Sequence, residues 1–159
     1  MTIAVGQTLP EITLKRIREG IETLDTQTLF GGRKVVLFGL PGAFTPTCSA
    51  RHLPGYVERF ADFRSRGVEV YCVAVNDPFV MKAWAESQQV PEGLAMLSDG
   101  NGELTRALGL DMDASASGMG TRCRRFALYA DNAIVRAVWV ETPGEFEVSS
   151  ADYVLQHLP

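Results

Sequence analysis

The chain is poor in the residues that build covalent or metal frameworks. Of its 159 residues, three are cysteine (Cys48, Cys72 and Cys123) and two are histidine (His52 and His157). The cysteines form no C-x-x-C pair and their number is odd, which argues against a secreted disulfide framework. No cysteines or histidines stand at ligand spacing, so no metal site is expected. Positive charge is not in excess: the net charge is −4, and nucleic acid is not expected as a partner. No apolar run approaches the roughly 20 residues that cross a bilayer, so no membrane partner is expected. Residues Met1–Gly6 lack a charged stretch followed by an apolar one. No secretory signal is therefore visible, and the cytoplasm is the expected location.

What is present suits one α/β domain over residues 1–159, with an apolar fraction of 46% and a charged fraction of 21%. The start alternates weakly around a turn at Gly6–Pro10. Ile12–Leu14 and Ile21–Leu24 read as an N-terminal β-hairpin through Arg18-Glu19-Gly20. Thr26–Phe30 reads as turn-like, closed by Gly31-Gly32. The apolar run Lys34–Gly39 is the first core strand. From Cys48, Leu53, Val57, Phe60 and Ala61 recur at helical spacing. The helix is expected to run to about Ser65, with Pro54 kinking it or leaving a local irregularity. Val68–Asn76 is a second core strand, parallel to the first across this helix. Asp77 and Pro78 read as the N-cap and first position of the next helix, with Val80, Met81 and Trp84 on its apolar side. Ala95–Leu97 is a short strand and Glu103–Leu108 a short helix. Ser115–Gly120 is a loop of small residues, and Arg122–Arg125 leads into strand Phe126–Tyr129. A turn at Asp131-Asn132 returns through Ala133–Val140. Ala151–His157 is a terminal helix capped by Ser149 or Ser150. The order predicts a mixed central sheet with helices on both faces.

The stretch Pro41–Cys48 is the chemical centre of this arrangement. It follows the C-terminal end of a core strand, where ligands of such sheets bind. Two prolines and a glycine make it a stiff turn. Cys48 opens a helix, whose free N–H groups and partial positive charge favour a thiolate. A cysteine hydrolase would need a histidine base held by a third group. His52, four residues on, is poorly placed for that, and His157 is not evidently near. A dithiol oxidoreductase would want a cysteine at position 51, which is Arg. Peroxide reduction asks for less. A thiolate attacks one peroxide oxygen while the other leaves with growing negative charge. Thr45, three residues before Cys48, is close enough to reach sulfur or peroxide. Pro41 can shield the sulfur from water, and an arginine from elsewhere would supply fixed positive charge.

Pro41-x-x-x-Thr45-x-x-Cys48 resembles the active-site motif of peroxiredoxins. The wider run Phe38–Ser49 with His52-Leu53-Pro54-Gly55, the block Val75–Trp84 and the block Gly118–Leu128 resemble the peroxiredoxin-5 (type II) subfamily. The resemblance implies a thioredoxin-like fold. It implies thiol-dependent reduction of hydrogen peroxide and alkyl hydroperoxides without metal or bound cofactor, in the service of cell redox homeostasis. It implies a homodimer formed through surfaces around the active site. It assigns Cys48 as the peroxidatic cysteine, Thr45 as the residue that positions peroxide, Pro41 as the shield and Arg125 as the catalytic arginine. Phe44, Met119 and His52 are expected at the substrate pocket, with Phe44 and Met119 as an apolar wall suited to alkyl peroxides or as dimer contacts. Some members carry a resolving cysteine in the segment matching Pro143–Ala151, where this chain has none. A one-cysteine cycle is therefore expected, with glutathione, glutaredoxin or thioredoxin as reductant. Cys123 is a second departure. If Arg122–Phe126 is extended, Cys123 shares a face with Arg125 and could resolve Cys48; otherwise it is a bystander. Cys72, Trp84 and Trp139 are read as core residues, and Arg122 and Arg124 as solvated or contact-forming. The competing class is a non-enzymatic thioredoxin-like binding module.

Overall fold

Alternation along the central strands decides the layering. A computed structural model describes all residues, Met1–Pro159. In β3 (Lys34–Gly39), Val35 and Leu37 point into one apolar cluster while Val36 and Phe38 point into another. In β4 (Glu69–Ala74), Tyr71 and Val73 join the first cluster, and Val70, Cys72 and Ala74 the second. Side chains at successive strand positions face opposite ways, so two fully covered faces require apolar residues at both parities.

The sheet holds seven strands in the order β2-β1-β5-β4-β3-β8-β9. β3, β4 and β5 (Ala95–Ser98) are parallel, and β8 (Phe126–Asp131) and β9 (Ile134–Val140) add antiparallel strands beside β3. β1 (Thr13–Ile17) and β2 (Ile21–Asp25) form the expected hairpin, which completes the other edge. One face is covered by α2 (Leu53–Glu58), α3 (Phe60–Ser65), α4 (Pro78–Ser87) and α6 (Ala151–His157), through Tyr56, Phe63, Met81, Trp84 and Val154. The other face carries α1 (Thr26–Phe30) and α5 (Glu103–Ala107), through Leu29, Phe30 and Leu104.

Several local expectations hold. Asp77 caps α4 by accepting from Val80 N at 2.9 Å, and Ser150 caps α6 by accepting from Tyr153 N at 3.1 Å. Four differ. Thr26–Phe30 is a helical turn, because the Asp25 carboxylate accepts from Thr28 N at 2.7 Å and supplies a cap. The hairpin turn lies one residue later than expected, at Asn132 and Ala133, both with positive φ, as a two-residue hairpin loop requires. Asp111–Asp113 and Thr121–Cys123 pair as a small separate sheet, β6 and β7. The helix from Cys48 to Ser65 is three pieces: a π-helical turn (Cys48–His52), α2 and α3. Pro54 offers no N–H to continue an α ladder from Ala50, and Leu53 N instead reaches five residues back to Cys48 O.

The Phe126 ring lies so close over Gly39 that only glycine fits there. Gly39 pairs with Phe126, and a Cβ at position 39 would stand 2.1 Å from the Phe126 ring. Gly39→Ala is expected to destabilise the fold by about 1–3 kcal/mol through overpacking; urea unfolding of the two proteins measures it.

Candidate active site

β3 ends at Gly39, and the chain turns through Leu40–Thr47 before the π-helical turn begins. Asn76, at the mouth of the neighbouring β4, holds this turn by accepting from Ala43 N at 2.9 Å. Thr45 folds back on it, donating its hydroxyl to Gly42 O at 2.6 Å. Arg122 braces it from the other side, donating to Pro41 O at 3.3 Å and to Met119 O at 2.9 Å. A Cβ at Gly42 would lie 2.6 Å from Arg122 Nη1, so glycine at 42 keeps the space this brace needs.

Cys48 opens the π-helical turn with no solvent exposure. The wider turn brings His52, also fully buried, to the same side. Arg125 enters from the residue before β8. Its Nη2 donates to Cys48 Sγ at 3.2 Å, and its Nη1 lies 2.7 Å from His52 Nδ1. The other imidazole nitrogen, Nε2, is 3.1 Å from Ser149 O. A carbonyl only accepts, so Nε2 carries the hydrogen and Nδ1 the lone pair that receives Arg125. Burial, and then the nearby Arg125 charge, hold the His52 pKa well below its ordinary value. The ring is therefore neutral. The Tyr56 hydroxyl also donates to Ser149 O, at 2.7 Å. Phe38 stacks on Tyr56 with ring centroids 3.9 Å apart, so this polar chain is enclosed by aromatic faces.

A cavity of about 210 Å³ opens beside these groups, with Pro41, Thr47, Met112, Arg124, Arg125 and Glu141 on its walls. Pro41 and Arg125 line this cavity while Thr45 and Cys48 do not; Cys48 meets Arg125 at the end of β3, and Thr45 belongs to the turn that leads there. Three residues expected at the pocket do not line this cavity either. His52 does not line the cavity, because burial and both ring hydrogen bonds hold it behind Arg125. It is also not a base for Cys48, since both nitrogens are engaged. Phe44 points away from the cavity, 58% exposed, with φ of 63° in the left-handed region. Met119 is also absent from the walls; Met112 of β6 supplies the apolar side chain there.

The shared face predicted for Cys123 and Arg125 does not exist. β7 ends at Cys123 and β8 begins at Phe126; Arg124 N still donates to Leu110 O at 2.8 Å in register with the β6–β7 pairing, and the chain then bends at Arg125. That bend resets the alternation. Cys123 packs in the cluster with Leu104 and Leu110, whereas Cys48 packs in the cluster across the sheet. Burial pushes the Cys123 thiol up to about 12. Cys72 is a fully buried core thiol on β4, and burial raises its pKa well above the ordinary value. Arg124 makes a contact, donating to Glu141 O at 3.1 Å. Reading the sequence did not identify Asn76, Arg122 or the Ser149 carbonyl as parts of the site. Asn76 could have been found as the polar residue closing an apolar strand; the other two act on or through the backbone and leave no pattern.

The redoxin family matches residues 4–155 of the chain. Peroxiredoxin-2B of Arabidopsis thaliana is 46% identical over 159 residues, covering 98% of each protein. The hybrid peroxiredoxin hyPrx5 of Haemophilus influenzae is 40% identical over 99% of this chain and 67% of its own. Among solved structures, reduced Prx3 of Vibrio vulnificus in complex with hydrogen peroxide matches with a TM-score of 0.93 and 48% identity over 98% of each chain. The fold is thioredoxin-like. With the matches spanning nearly the whole chain and the Cys48–Arg125 pair in place, the protein belongs to the redoxin family as a peroxiredoxin, consistent with the type II kind, and is a thiol peroxidase.

Proposed function

We propose that Cys48 is the peroxidatic sulfur, with Arg125, Thr45 and Pro41 as its working partners. The observation that carries the assignment is the Arg125 guanidinium donating to Cys48 Sγ at 3.2 Å while its other arm is held by His52. A hydrogen bond from a cation to sulfur is strongest when the sulfur is a thiolate. The thiolate attacks the nearer peroxide oxygen, an S–O bond forms and the O–O bond breaks. The sulfur leaves this step as sulfenic acid, and the departing alkoxide or hydroxide takes up a proton. Arg125 faces the place where negative charge grows on the leaving oxygen. The Thr45 hydroxyl hydrogen is committed to Gly42 O, so its lone pair is free to accept from the peroxide O–H. Pro41, half-buried on the cavity wall, limits water at the sulfur.

The same reading favours a one-cysteine cycle. Cys123 lies across the sheet and Cys72 is buried, so an external thiol attacks the sulfenic acid, expels water and leaves a mixed disulfide; a second thiol releases Cys48. Glutathione with glutaredoxin, or thioredoxin, would serve, and hydrogen peroxide and alkyl hydroperoxides are the oxidants. Three free thiols and a thiol-dependent cycle suit a reducing compartment, hence the cytoplasm. The exposed rings of Phe44 and Phe79 suit a homodimer contact near the site.

Reduced protein given one equivalent of hydrogen peroxide without thiols is expected to gain one oxygen on Cys48 by intact mass. Cys123→Ser is expected to behave the same. A loss of two hydrogens that disappears in Cys123→Ser would overturn the one-cysteine cycle. Arg125→Lys keeps the charge but loses the two-armed fork. Its rate constant with peroxide is expected to fall about 10²- to 10³-fold, measured by stopped-flow.

His52 generates a pH dependence. Its folded pKa is depressed, so below about 6.5 the unfolded chain binds a proton that the folded protein does not. Its effect on stability is fully favourable above that pH and declines as pH falls toward the folded pKa. His52→Gln should therefore flatten the loss of stability below about pH 6.5, read from urea midpoints across pH.

A further inference from the structure

The segment after β9 is tied to the site by a carboxylate that the reaction scheme does not use. Glu141 is 3% exposed, and its carboxylate has no cationic partner. One oxygen, Oε2, accepts from Glu147 N at 2.8 Å, Ser149 N at 2.8 Å and Ser149 Oγ at 2.7 Å. A carboxylate taken out of water is costly unless such bonds repay it. They gather a nine-residue span, 141–149, into a loop closed on its own first residue. The backbone N of Glu141 also donates to Arg125 O at 3.0 Å, so the anchor and the arginine face each other where the β8–β9 pairing continues past Phe126 and Val140.

What the loop delivers is a carbonyl. Ser149 O, on the residue whose N and Oγ Glu141 holds, receives His52 Nε2 at 3.1 Å beside the Tyr56 hydroxyl at 2.7 Å. That contact selects the imidazole tautomer whose Nδ1 accepts Arg125 Nη1 at 2.7 Å, and Arg125 Nη2 reaches Cys48 Sγ at 3.2 Å. The loop also lays Phe146 over the pair, with its ring centroid 5.0 Å from that of His52 and 5.8 Å from Arg125 Cζ. Without the Ser149 carbonyl in place, His52 could take the other tautomer, and two N–H donors would then face each other across the Arg125 contact.

We propose that Glu141 is a positioning residue for the peroxidase reaction, acting through the Ser149 carbonyl on the tautomer of His52 and so on the aim of Arg125 at the Cys48 sulfur. The proposal rests on Cys48 being the peroxidatic residue, and it assigns the 142–149 loop a structural role in the reactive state of the sulfur.

The test uses ¹⁵N-histidine-labelled full-length protein. In the wild type, the His52 spectrum should show a fixed, neutral, Nε2-protonated ring. Glu141→Ala should lose that signature and slow the reaction of Cys48 with hydrogen peroxide about tenfold to a hundredfold. Glu141→Gln keeps an acceptor oxygen and should recover most of both. A folded Glu141→Ala protein with unchanged tautomer and rate overturns the proposal while leaving the peroxidase reading intact. If Glu141→Ala does not fold, the wild-type spectrum still decides, because an Nδ1-protonated or doubly protonated His52 overturns it. Loss of peroxide reactivity in the wild type would instead overturn the reading of Cys48.

Discussion

The two-armed grip of Arg125 is the interaction on which the site depends. One arm touches the sulfur and the other a neutral imidazole. A lysine ammonium could neutralise the thiolate but could not hold both directions in one plane. The imidazole matters because it is neutral. A carboxylate in its place would cancel the arginine's charge at the sulfur, whereas a buried lone pair orients the guanidinium and leaves its positive charge for the reacting atoms. Burial of His52 therefore has a function at the site as well as in the core.

The sheet explains how these groups meet. Cys48 follows β3 and Arg125 precedes β8, and these strands are antiparallel neighbours with Gly39 opposite Phe126. The end of one strand and the start of the other thus lie at the same edge of the sheet. Asn76 follows β4, parallel to β3, and arrives at that edge too. Three segments far apart in sequence converge because strand direction requires it. The covered faces then sort the thiols. Cys48 and Cys72 belong to one layer and Cys123 to the other, with the sheet between them.

Much of this was legible in the residues. The apolar runs of β3 and β4, the Asp77–Pro78 helix start and the Pro-rich turn before Cys48 each carry a local physical signal. So does Pro54, whose missing N–H announced an irregular turn. The failures share a different cause. Cys123 was placed by strand alternation, but alternation holds only within one strand, and the chain bends at Arg125 as it passes from its pairing with β6 to β8. That bend depends on where β6 lies, which three residues of mixed polarity do not reveal. His52 read as a pocket residue because histidine is polar; its burial follows from a π-helical turn and a carbonyl 97 positions away. Thr26–Phe30 is too short for periodicity to register, and a single cap decides it.

The two halves of the one-cysteine cycle proposed above would make different demands on this geometry. Peroxide is small and needs a dry, fully formed site, which the buried sulfur and the Arg125 contact provide. A thiol carried on a peptide or protein is far larger and must approach a sulfur that is now sulfenic acid. Oxidation itself weakens the bond that holds the site closed, because a neutral sulfenic acid accepts from Arg125 less strongly than a thiolate does. The turn bearing Cys48 is not part of a long, regular α ladder: one α-type bond, from Ser49 N to Thr45 O, leads into it. It is a π-helical turn followed by two short helices of six residues each. Such short elements open locally at lower cost than a long, continuous helix. The irregularity imposed by Pro54 thus aligns His52 with Cys48 while the sulfur is reduced. On the proposed reading, the same short elements would let the first turn yield once the sulfur is oxidised.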